Sequence, residues 1–321
     1  MRIGTRASTM ALAQTGDIAT AYRVAHPDKP VEIVEFSTKG DRDQTSRLDI
    51  HGGKGGAFVS EIRDAIRENR LDAAMHSLKD MPGDEETPGL VIGAYMKREP
   101  IEDALILREG ETYDAFVARG GEGYKIGSNS VRRRALLGRL YPAAEVIHFR
   151  GAADTRIKKL DEGTMQMLPD GNAVGPADAL ILARCGLERL GVAHRAAHIF
   201  SPEELAPALG QGIVAVECRA NDFRTLEALA AVDDPDARVS AIAEREMLWI
   251  LNGHCNSPIA GHGTVNGDAI TLYGAVMSEA GDEIIESRLE MSRERPRELG
   301  RAVGMALLDL GAAALIEKSR P

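Results

Sequence analysis

Cysteine is scarce in this chain, which has three cysteines among 321 residues. They are too few and too widely spaced for the disulfide framework of a small secreted domain. No spaced set of cysteine and histidine ligands accompanies Cys255, although His254 and His262 leave a metal site open as a minor alternative. The sequence therefore predicts a reduced, cytoplasmic protein that needs no metal.

Aromatic residues and net positive charge are also lacking. Aromatics make up 4% of the residues, which argues against a stacking surface for single-stranded nucleic acid. The 39 lysines and arginines are outnumbered by 49 aspartates and glutamates, and this balance disfavours nucleic-acid partners. No apolar run approaches membrane-spanning length, and the opening residues, MRIGTRAS, contain no apolar signal region. We therefore expect neither nucleic acid nor membrane as a partner.

What the chain has instead is an alternation of strand and helix patterns. Its length suggests two or three domains. In the first two thirds, short apolar strands alternate with amphipathic helices, which favours largely parallel sheets covered by helices. The remainder holds a long helix, Ala237–Leu251, two alternating runs typical of an antiparallel sheet, and a closing helix, Arg297–Glu317. The sequence predicts an α/β protein with a small α+β third domain.

Arginines are concentrated where predicted helices begin. The motif GSNSVRRR, which starts at Gly127, places three arginines in the first turn of a helix. Positive charge there opposes the helix dipole at a cost of about 0.3 to 1 kcal/mol per charge at low salt. Something negative should offset that cost, and the preceding hydroxyl and amide groups form a possible anion cradle. A solvated basic turn paired with surplus acidic side chains is the alternative.

Other arginines share this arrangement. Arg6 ends one strand and Ser8 begins the next helix, whereas Arg150 follows another strand and Arg156 enters the helix after it. Strand carboxyl ends and helix N-termini meet on the side of an α/β sheet where ligands bind. Because guanidinium groups suit bidentate recognition of carboxylates, the sequence predicts a ligand with several carboxylate groups.

Three further segments could carry chemistry. The motif AMHSLKDMP, from Ala74, puts Lys79 and Asp80 at the end of a buried strand, where a carboxylate can act as general acid or base or stabilise a cation. Cys255 lies in a polar turn, NGHCNSP, and is therefore chemically available, alone or in a protease-like Cys–His pair. The GGKGG run from Gly52 lacks the ending of a phosphate-binding P-loop and favours a mobile loop near an acidic ligand.

Together these segments resemble the porphobilinogen deaminase family, in order and along nearly the whole chain. The most specific are AMHSLKD and the GHCNSP segment. The matching motifs are RIGTRAS at Arg2, GGKG at Gly52, AMHSLKDMP at Ala74, GSNSVRR at Gly127, FRG at Phe149, TR at Thr155, GLER at Gly186, LGQG at Leu209, ECR at Glu217 and GHCNSPIAG at Gly253.

The resemblance implies a transferase. Members of the family join four porphobilinogen molecules head to tail, with loss of ammonia, to give hydroxymethylbilane, a precursor of tetrapyrroles. They carry a dipyrromethane cofactor, assembled from substrate, as a thioether on the cysteine that matches Cys255. The aspartate that matches Asp80 stabilises the cation left when the amine departs. The resemblance also implies a cytoplasmic monomer.

The resemblance further implies binding residues and a domain plan. Cofactor-binding positions are matched by Lys79, Ser128, Asn129, Ser130, Arg132, Arg133, Arg150 and Gly151. Substrate-binding positions are matched by Arg6, Ser8, Gln14, Arg150, Arg156, Arg189 and Gln211. Two lobes like those of type II periplasmic binding proteins should comprise residues 1–98 with 208–231, and residues 99–207. A third domain, 232–321, should bear Cys255.

Departures from the family pattern keep alternatives open. The glycine loop is one residue longer, Arg150 is followed by Gly-Ala-Ala rather than Gly-Asn, and Arg184 and Cys185 stand where small apolar residues are usual. Residues 164–177 contain an insertion rich in proline and glycine, which predicts a surface loop. The alternatives are a non-catalytic protein that binds a polycarboxylate or pyrrole, and a divergent paralogue that acts on a related pyrrole.

Overall fold

The computed structural model describes residues 1–36, 59–83, 85–168, 171–253 and 257–319. The glycine-rich loop with Lys54 lies outside these ranges, as does Cys255. In the described part the chain forms two five-stranded sheets, one three-stranded sheet and a two-stranded hairpin.

The first lobe is a five-stranded sheet with the order β2-β1-β3-β12-β4. Its strands are β1 (Arg2–Arg6), β2 (Glu32–Phe36), β3 (Ala73–Ser77), β4 (Leu90–Tyr95) and β12 (Val214–Arg219). β12 runs antiparallel to both its neighbours, and the other four strands share one direction. The helices of this lobe are Thr9–Ala25, Ser60–Arg67 and Phe223–Ala230.

The second lobe repeats this arrangement with the order β11-β5-β10-β6-β7. Its strands are β5 (Asp103–Leu107), β6 (Lys125–Gly127), β7 (Glu145–Ile147), β10 (Ala179–Ala183) and β11 (Ala196–Phe200). β5 is the one reversed strand, next to the edge as β12 is in the first lobe. The helices of this lobe are Tyr113–Ala118, Val131–Leu140, Ala153–Asp161 and Arg184–Arg189. The prediction of mixed, mainly parallel sheets is confirmed.

Both sheets are buried on their two faces, which explains their continuous apolar strands. In β3, Ala73 packs into one core cluster and Ala74 into another, because successive side chains point to opposite faces of a strand. In β5, Leu105 and Ile106 are divided between two clusters in the same way. Because both faces of each sheet are covered, a site can form only at the ends of the strands, and the carboxyl ends of the parallel strands are the usual place.

The chain passes between the lobes twice, and the two connections lie side by side. The Glu99 amide donates to the Gly212 carbonyl at 2.9 Å, and the Met96 amide donates to the Val214 carbonyl at 2.9 Å. Gly212 has a φ of +82°, and a Cβ there would collide with the carbonyl oxygen of Glu99. Only glycine fits this crossing, which sets the carboxyl ends of the two sheets facing one another.

The third unit is an antiparallel sheet with helices. Its strands are β13 (Ile259–Asn266), β14 (Ala269–Met277) and β15 (Ile284–Ser292), and its helices are Pro235–Leu251, Pro296–Asp309 and Ala312–Lys318. The prediction of one closing helix over Arg297–Glu317 is wrong. Gly311, at a φ of +101°, breaks it, and an 80° bend lets Leu315 and Ile316 enter the core. No single described helix is long and apolar enough to cross a membrane, although this bent pair passes by length and composition.

The inserted segment is also more ordered than the predicted surface loop. It forms a hairpin of two short antiparallel strands, β8 (Gln166–Met167) and β9 (Ala173–Val174). Its side chains alternate, so that Met167 is exposed whereas Gln166 is buried. A polar residue therefore points from the insertion into the second lobe.

Candidate active site

A cleft of about 580 Å³ lies between the two lobes. The residues that line it follow the carboxyl ends of strands from both sheets. Arg6 ends β1, Asp80 follows β3, Arg150 follows β7 and Cys185 follows β10. The position agrees with the general rule for ligand sites of open α/β sheets.

Asp80 enters the cleft on a short turn. β3 is followed at once by a 3₁₀ turn over Leu78–Asp80, which leaves the Asp80 side chain half-buried. The turn is backed by Gly210, whose φ is +75° and whose Cβ, if it had one, would lie 2.9 Å from the amide nitrogen of Lys79. Glycine at 210 thus lets the returning chain support the carboxylate from behind.

Lys79 points from the same turn toward the crossing between the lobes. Its Nζ donates to Oε1 of Gln211 at 3.4 Å. Burial lowers the pKa of Lys79 below its ordinary value, and the positive charge of Arg133 acts in the same direction. Gln211 is itself fully buried, so it connects the Asp80 turn to the second lobe without facing the cleft.

Two of the arginines at the start of the helix Val131–Leu140, Arg132 and Arg133, share one counter-charge, Asp103, a residue that the sequence interpretation missed. Its carboxylate accepts from Arg132 Nη2 at 2.7 Å, from Arg133 Nη2 at 2.7 Å and Nε at 3.0 Å, and from Gln211 Nε2 at 2.9 Å. Burial opposes the charge of Asp103, but the two guanidinium groups outweigh it and hold the pKa of the carboxyl well below its usual range. Asp103 is thus the anion that this helix start requires.

This pairing changes the interpretation of Arg132. The structure places Arg132 outside the cleft lining, where it also donates to the Ala206 carbonyl. Arg133 does line the cleft, but Asp103 and the Ile181 carbonyl occupy its nitrogens. The charge of Arg132 is therefore engaged inside the second lobe, and its contact with the cofactor stays a prediction.

The residues of the GSNS run mostly organise the backbone. Ser130 caps the helix by accepting from the Arg133 amide at 3.4 Å, and Ser128 Oγ accepts from the Ser130 amide at 3.3 Å. Neither serine lines the cleft. Asn129 does, while its Oδ1 accepts from the Phe149 amide at 2.7 Å. Of the three residues predicted to contact the cofactor, Ser128 and Ser130 therefore bind backbone amides at the start of the helix in this structure.

Arg156 is a cleft arginine whose side chain has no hydrogen bond or ion pair among the described residues. It lines the cleft, and its Nε is buried without a hydrogen-bond partner among the described residues. Burial, and then the nearby charge of Arg133, lowers the pKa of Arg156 to about 10. The group stays cationic at neutral pH, and an anion in the cleft would satisfy it.

Further polar contacts at Arg189 and Thr9 join the lobes beside the cleft. Arg189 Nη2 lies 2.6 Å from Glu99 Oε2, and its Nε lies 3.2 Å from Asp17 Oδ2 in the first lobe. Thr9 Oγ1 donates to Asp154 Oδ2 at 3.0 Å. Arg189 therefore lines the cleft as predicted by position, but it is already held by two carboxylates.

A buried ion cluster supports the first lobe behind the cleft. Glu217 accepts from Arg63 Nε at 3.0 Å and lies 3.2 Å from Nε2 of His76, which lines the cleft. Burial alone would raise the pKa of Glu217, but the hydrogen bond to His76 and the charges of His76 and Arg63 lower it to about 2. The ECR motif thus contributes a buried carboxylate rather than a cleft residue.

Comparison with known protein families identifies the family of this chain. The model of the dipyrromethane cofactor-binding domain of porphobilinogen deaminase matches residues 1–227, and the model of the C-terminal domain of the same enzyme matches residues 239–309. The chain belongs to the porphobilinogen deaminase family. The porphobilinogen deaminase of Syntrophobacter fumaroxidans is 38% identical over 99% of this chain and 97% of its own length. That of Acidithiobacillus ferrooxidans is 39% identical over 100% and 98%.

Solved structures match only in coarse outline. They include an ancestral cationic amino acid solute binding protein, with a TM-score of 0.40 and 13% identity over 72% of this chain and 87% of that one. Another is the periplasmic aliphatic sulphonate binding protein of Escherichia coli, with a TM-score of 0.38 and 12% identity over 77% and 68%. The functional interpretation therefore depends on family membership and on the cleft itself.

For a porphobilinogen deaminase, the structure brings most of the predicted site residues together. Those that line the cleft are Arg6, Ser8, Gln14, Lys79, Asp80, Asn129, Arg133, Arg150, Gly151, Arg156 and Arg189. Those that do not are Ser128, Ser130, Arg132 and Gln211. Cys255 lies outside the described residues. Besides Asp103, the sequence interpretation missed Glu99, which pairs with Arg189, and Lys159, which binds the Arg150 carbonyl. In the sequence each is only a charged residue near a cleft segment, which is too common a feature to indicate a role.

The described residues fit the dipyrromethane cofactor of the porphobilinogen deaminase family. Arg156 lines the cleft and its buried Nε has no hydrogen-bond partner among the described residues, so an acidic ligand in the cleft would satisfy it. The helix Pro235–Leu251, which precedes Cys255 in the chain, packs beside the Asp80 turn: Arg245 donates to the Pro82 carbonyl at 2.9 Å, and Leu248 contacts Gly83. The C-terminal half of the helix that leads to Cys255 therefore packs against the segment that follows the Asp80 turn.

Proposed function

We propose that this chain is a hydroxymethylbilane synthase, which joins four porphobilinogen molecules head to tail. The observation that carries the proposal is the cleft in which Asp80 and cationic arginines from both lobes face one space. In each addition the C–N bond of the aminomethyl group breaks and ammonia leaves. A C–C bond forms between the methylene carbon so exposed and the free α-carbon of the pyrrole at the end of the chain, and the proton that this α-carbon loses balances the proton that leaves with ammonia.

Asp80 has the chemistry that this step needs. Positive charge develops on the pyrrole as the amine departs, and a fixed carboxylate beside it stabilises the transition state more than the ground state. The Gly210 contact holds the Asp80 turn in place before substrate arrives. Preorganisation of this kind avoids reorganisation during the reaction.

The arginines bind the acidic side chains of the pyrroles. Arg6, Arg150 and Arg156 line the cleft from separate segments, so they can hold carboxylates on several rings. We propose Ser8, Gln14 and Arg189 as further substrate contacts, and Gln211 as an indirect one through Lys79. Binding at several points orients the reacting carbon atoms.

We propose that the dipyrromethane cofactor is attached through a thioether to Cys255. When bound, it supplies the pyrrole on which the chain grows. Lys79, Asn129, Arg133, Arg150 and Gly151 would hold its carboxylates and rings, because all of them line the cleft. For Ser128, Ser130 and Arg132 we propose an indirect role, through the helix start that presents Arg133.

Substitution of Asp80 tests the reaction. Asp80→Ala should abolish consumption of porphobilinogen and leave the circular dichroism spectrum unchanged. Asp268→Ala, an exposed aspartate on the third unit, is the control and should keep full activity. Full turnover by Asp80→Ala would refute the proposed role.

Intact-mass measurement tests the cofactor. Purified wild-type chain should weigh more than the polypeptide by one dipyrromethane and should colour with acidic Ehrlich's reagent. Cys255→Ser should have the bare mass. An unmodified wild-type chain that is inert toward porphobilinogen would overturn the function.

We also propose the domain boundaries 1–98 with 208–231, 99–207 and 232–321, and a cytoplasmic monomer. The return of β12 to pair with β3 and β4 supports a discontinuous first domain. Light scattering of purified protein should give a mass near 34.5 kDa. Limited proteolysis should cleave at the boundaries before it cleaves within the sheets.

A further inference from the structure

We propose that Gln166, on the β8–β9 hairpin, is a positioning residue that holds Arg150 in its cleft orientation. The hairpin residues that the structure describes lie outside the cleft lining. The importance of Gln166 comes from one hydrogen bond to the Arg150 amide and from a second to Lys159, which itself binds the Arg150 carbonyl. The inference rests on the proposed function only for its kinetic consequence.

The Arg150 peptide groups are held from both sides. Gln166 Oε1 accepts from the Arg150 amide at 3.2 Å and from Lys159 Nζ at 3.1 Å. Lys159 Nζ also donates to the Arg150 carbonyl at 3.1 Å. The three residues form a closed ring of hydrogen bonds in which the Arg150 N–H and C=O are both engaged. Fixing both groups limits rotation about φ and ψ of Arg150.

The hairpin holds the amide of Gln166 in place. Gln166 is 7% exposed, its Nε2 donates to the Met167 carbonyl at 3.0 Å, and its backbone pairs with Val174. The Leu168 amide donates to the Asn172 carbonyl at 2.8 Å and closes the strands. A buried amide in a paired strand loses little further freedom when it binds Arg150, so its hydrogen bonds orient their partner effectively.

The Arg150 turn needs such support. Gly151 follows with a φ of +128°, a conformation that glycine alone adopts readily, and glycine is the most mobile backbone residue. A Cβ at 151 would lie 3.2 Å from Thr155 Cγ2, so a stiffer residue is disfavoured there. Rigidity must therefore come from outside the turn, and the described chain supplies it through Gln166 and Lys159.

Lys159 is suited to this role rather than to ligand binding. Burial, and then the charge of Arg156, lowers the pKa of its ammonium group below the ordinary value. The Nζ atom lies 5.8 Å above the centre of the Phe149 ring and is absent from the cleft lining. Its donors are directed at Arg150 and Gln166 instead.

Two measurements test the proposal on the full chain. In Gln166→Leu, hydrogen–deuterium exchange of the Arg150 amide should accelerate by about tenfold, as expected for loss of one hydrogen bond. KM for porphobilinogen should rise by about fivefold to tenfold, with kcat changed by less than about twofold, since binding orientation is what is lost. Gln166→Glu keeps the acceptor and should retain amide protection. Met167→Ala, an exposed neighbour on the same hairpin, should match wild type in both measurements.

A double-mutant cycle separates positioning from general stability. In an Arg150→Ala background, Gln166→Leu should have no further effect on KM. An equal rise in KM in both backgrounds, or unchanged amide exchange in Gln166→Leu, would overturn the proposal. If Gln166→Leu does not fold, Lys159→Met removes the other half of the ring and should accelerate exchange at residues 150–151. Exchange does not require turnover, so an inactive wild type would refute the function without affecting this result.

Discussion

The carboxylate of Asp103 lies 2.7 Å from Nη2 of Arg133, and the aspartate is wholly inaccessible to solvent. The same carboxylate holds Arg132 and Gln211. Gln211 in turn accepts from Lys79, next to the proposed catalytic Asp80. Asp103 therefore connects the helix start of the second lobe to the reactive turn of the first.

Asp103→Asn should destabilise the protein strongly. The change keeps the shape of the side chain but leaves two buried guanidinium groups without a counter-charge. Breaking a buried ion pair in this way costs about 3 to 5 kcal/mol of unfolding free energy. Denaturant unfolding measures the loss, with Asp28→Asn, an exposed aspartate, as the control. An unfolding free energy within about 1 kcal/mol of wild type would show that the cluster is not maintained in solution.

Arg156→Leu should separate stability from binding. Burying the Nε of Arg156 without a hydrogen-bond partner costs folding free energy when no ligand is bound. Its removal should therefore leave the unfolding free energy of the ligand-free chain equal or higher. KM for porphobilinogen should rise by about tenfold or more, since a charged hydrogen bond contributes about 1.5 to 3 kcal/mol. Arg134→Leu, on the exposed side of the neighbouring helix, should leave KM unchanged. A clear fall in stability without a change in KM would contradict the assignment.

Glu217 should contribute to the loss of folding stability at acidic pH. Its folded pKa of about 2 lies below its ordinary value of 4.5. A group with a lowered folded pKa stabilises the fold above its unfolded pKa, and this contribution is lost as pH falls from about 4.5 to 2. A shift of this size corresponds to roughly 3 kcal/mol. Glu217→Gln should therefore be less stable than wild type at pH 7, and the difference should shrink below pH 4. Exposed Glu122, substituted by Gln, should show no such pH-dependent difference.

Gly210→Ala should disturb the Asp80 turn. The new Cβ would lie 2.9 Å from the backbone nitrogen of Lys79, which must move to admit it. Gly267→Ala is a matched control, because Gly267 also has a positive φ, of +59°, but open space around it. Backbone strain should lower the unfolding free energy by about 1 kcal/mol in both variants. The clash with Lys79 adds to this loss in Gly210→Ala alone. Only Gly210→Ala should also lower kcat sharply. Equal kcat values for the two variants would show that the contact with Lys79 is unimportant for catalysis.

Local patterns were enough to predict much of the first lobe. Ser8 caps the helix Thr9–Ala25 as expected, with its Oγ accepting from the Ala11 amide at 3.3 Å. The apolar run of β3 predicts a buried strand, and Asp80 follows this strand at the cleft. These features depend on periodicity and capping within a few residues, which the sequence contains directly.

Features that depend on distant partners were not predictable in this way. Asp103 and Arg133 are 30 residues apart, and neither carries a local signal of the other. The basic helix start therefore predicts a counter-charge, but not which acidic group supplies it. The sequence predicts a loop around Gln166, because strands of two residues are too short to show the alternation of apolar and polar residues that marks a strand. The break at Gly311 was missed because one glycine is compatible with a continuing helix.

The sequence by itself determined the family, the alternation of strands and helices, and the identity of the charged groups at strand ends, since these are carried by ordered motifs and short-range periodicity. Only the tertiary structure decided which charges are used inside the protein and which remain for a ligand. Arg132 and Arg156 are alike in chemistry and in their place near helix starts. Folding brings Asp103 to Nη2 of Arg132, although Nε of Arg132 is itself buried without a partner, whereas the side chain of Arg156 has neither a hydrogen bond nor an ion pair among the described residues. In a low-dielectric interior that difference in partner determines what each arginine does.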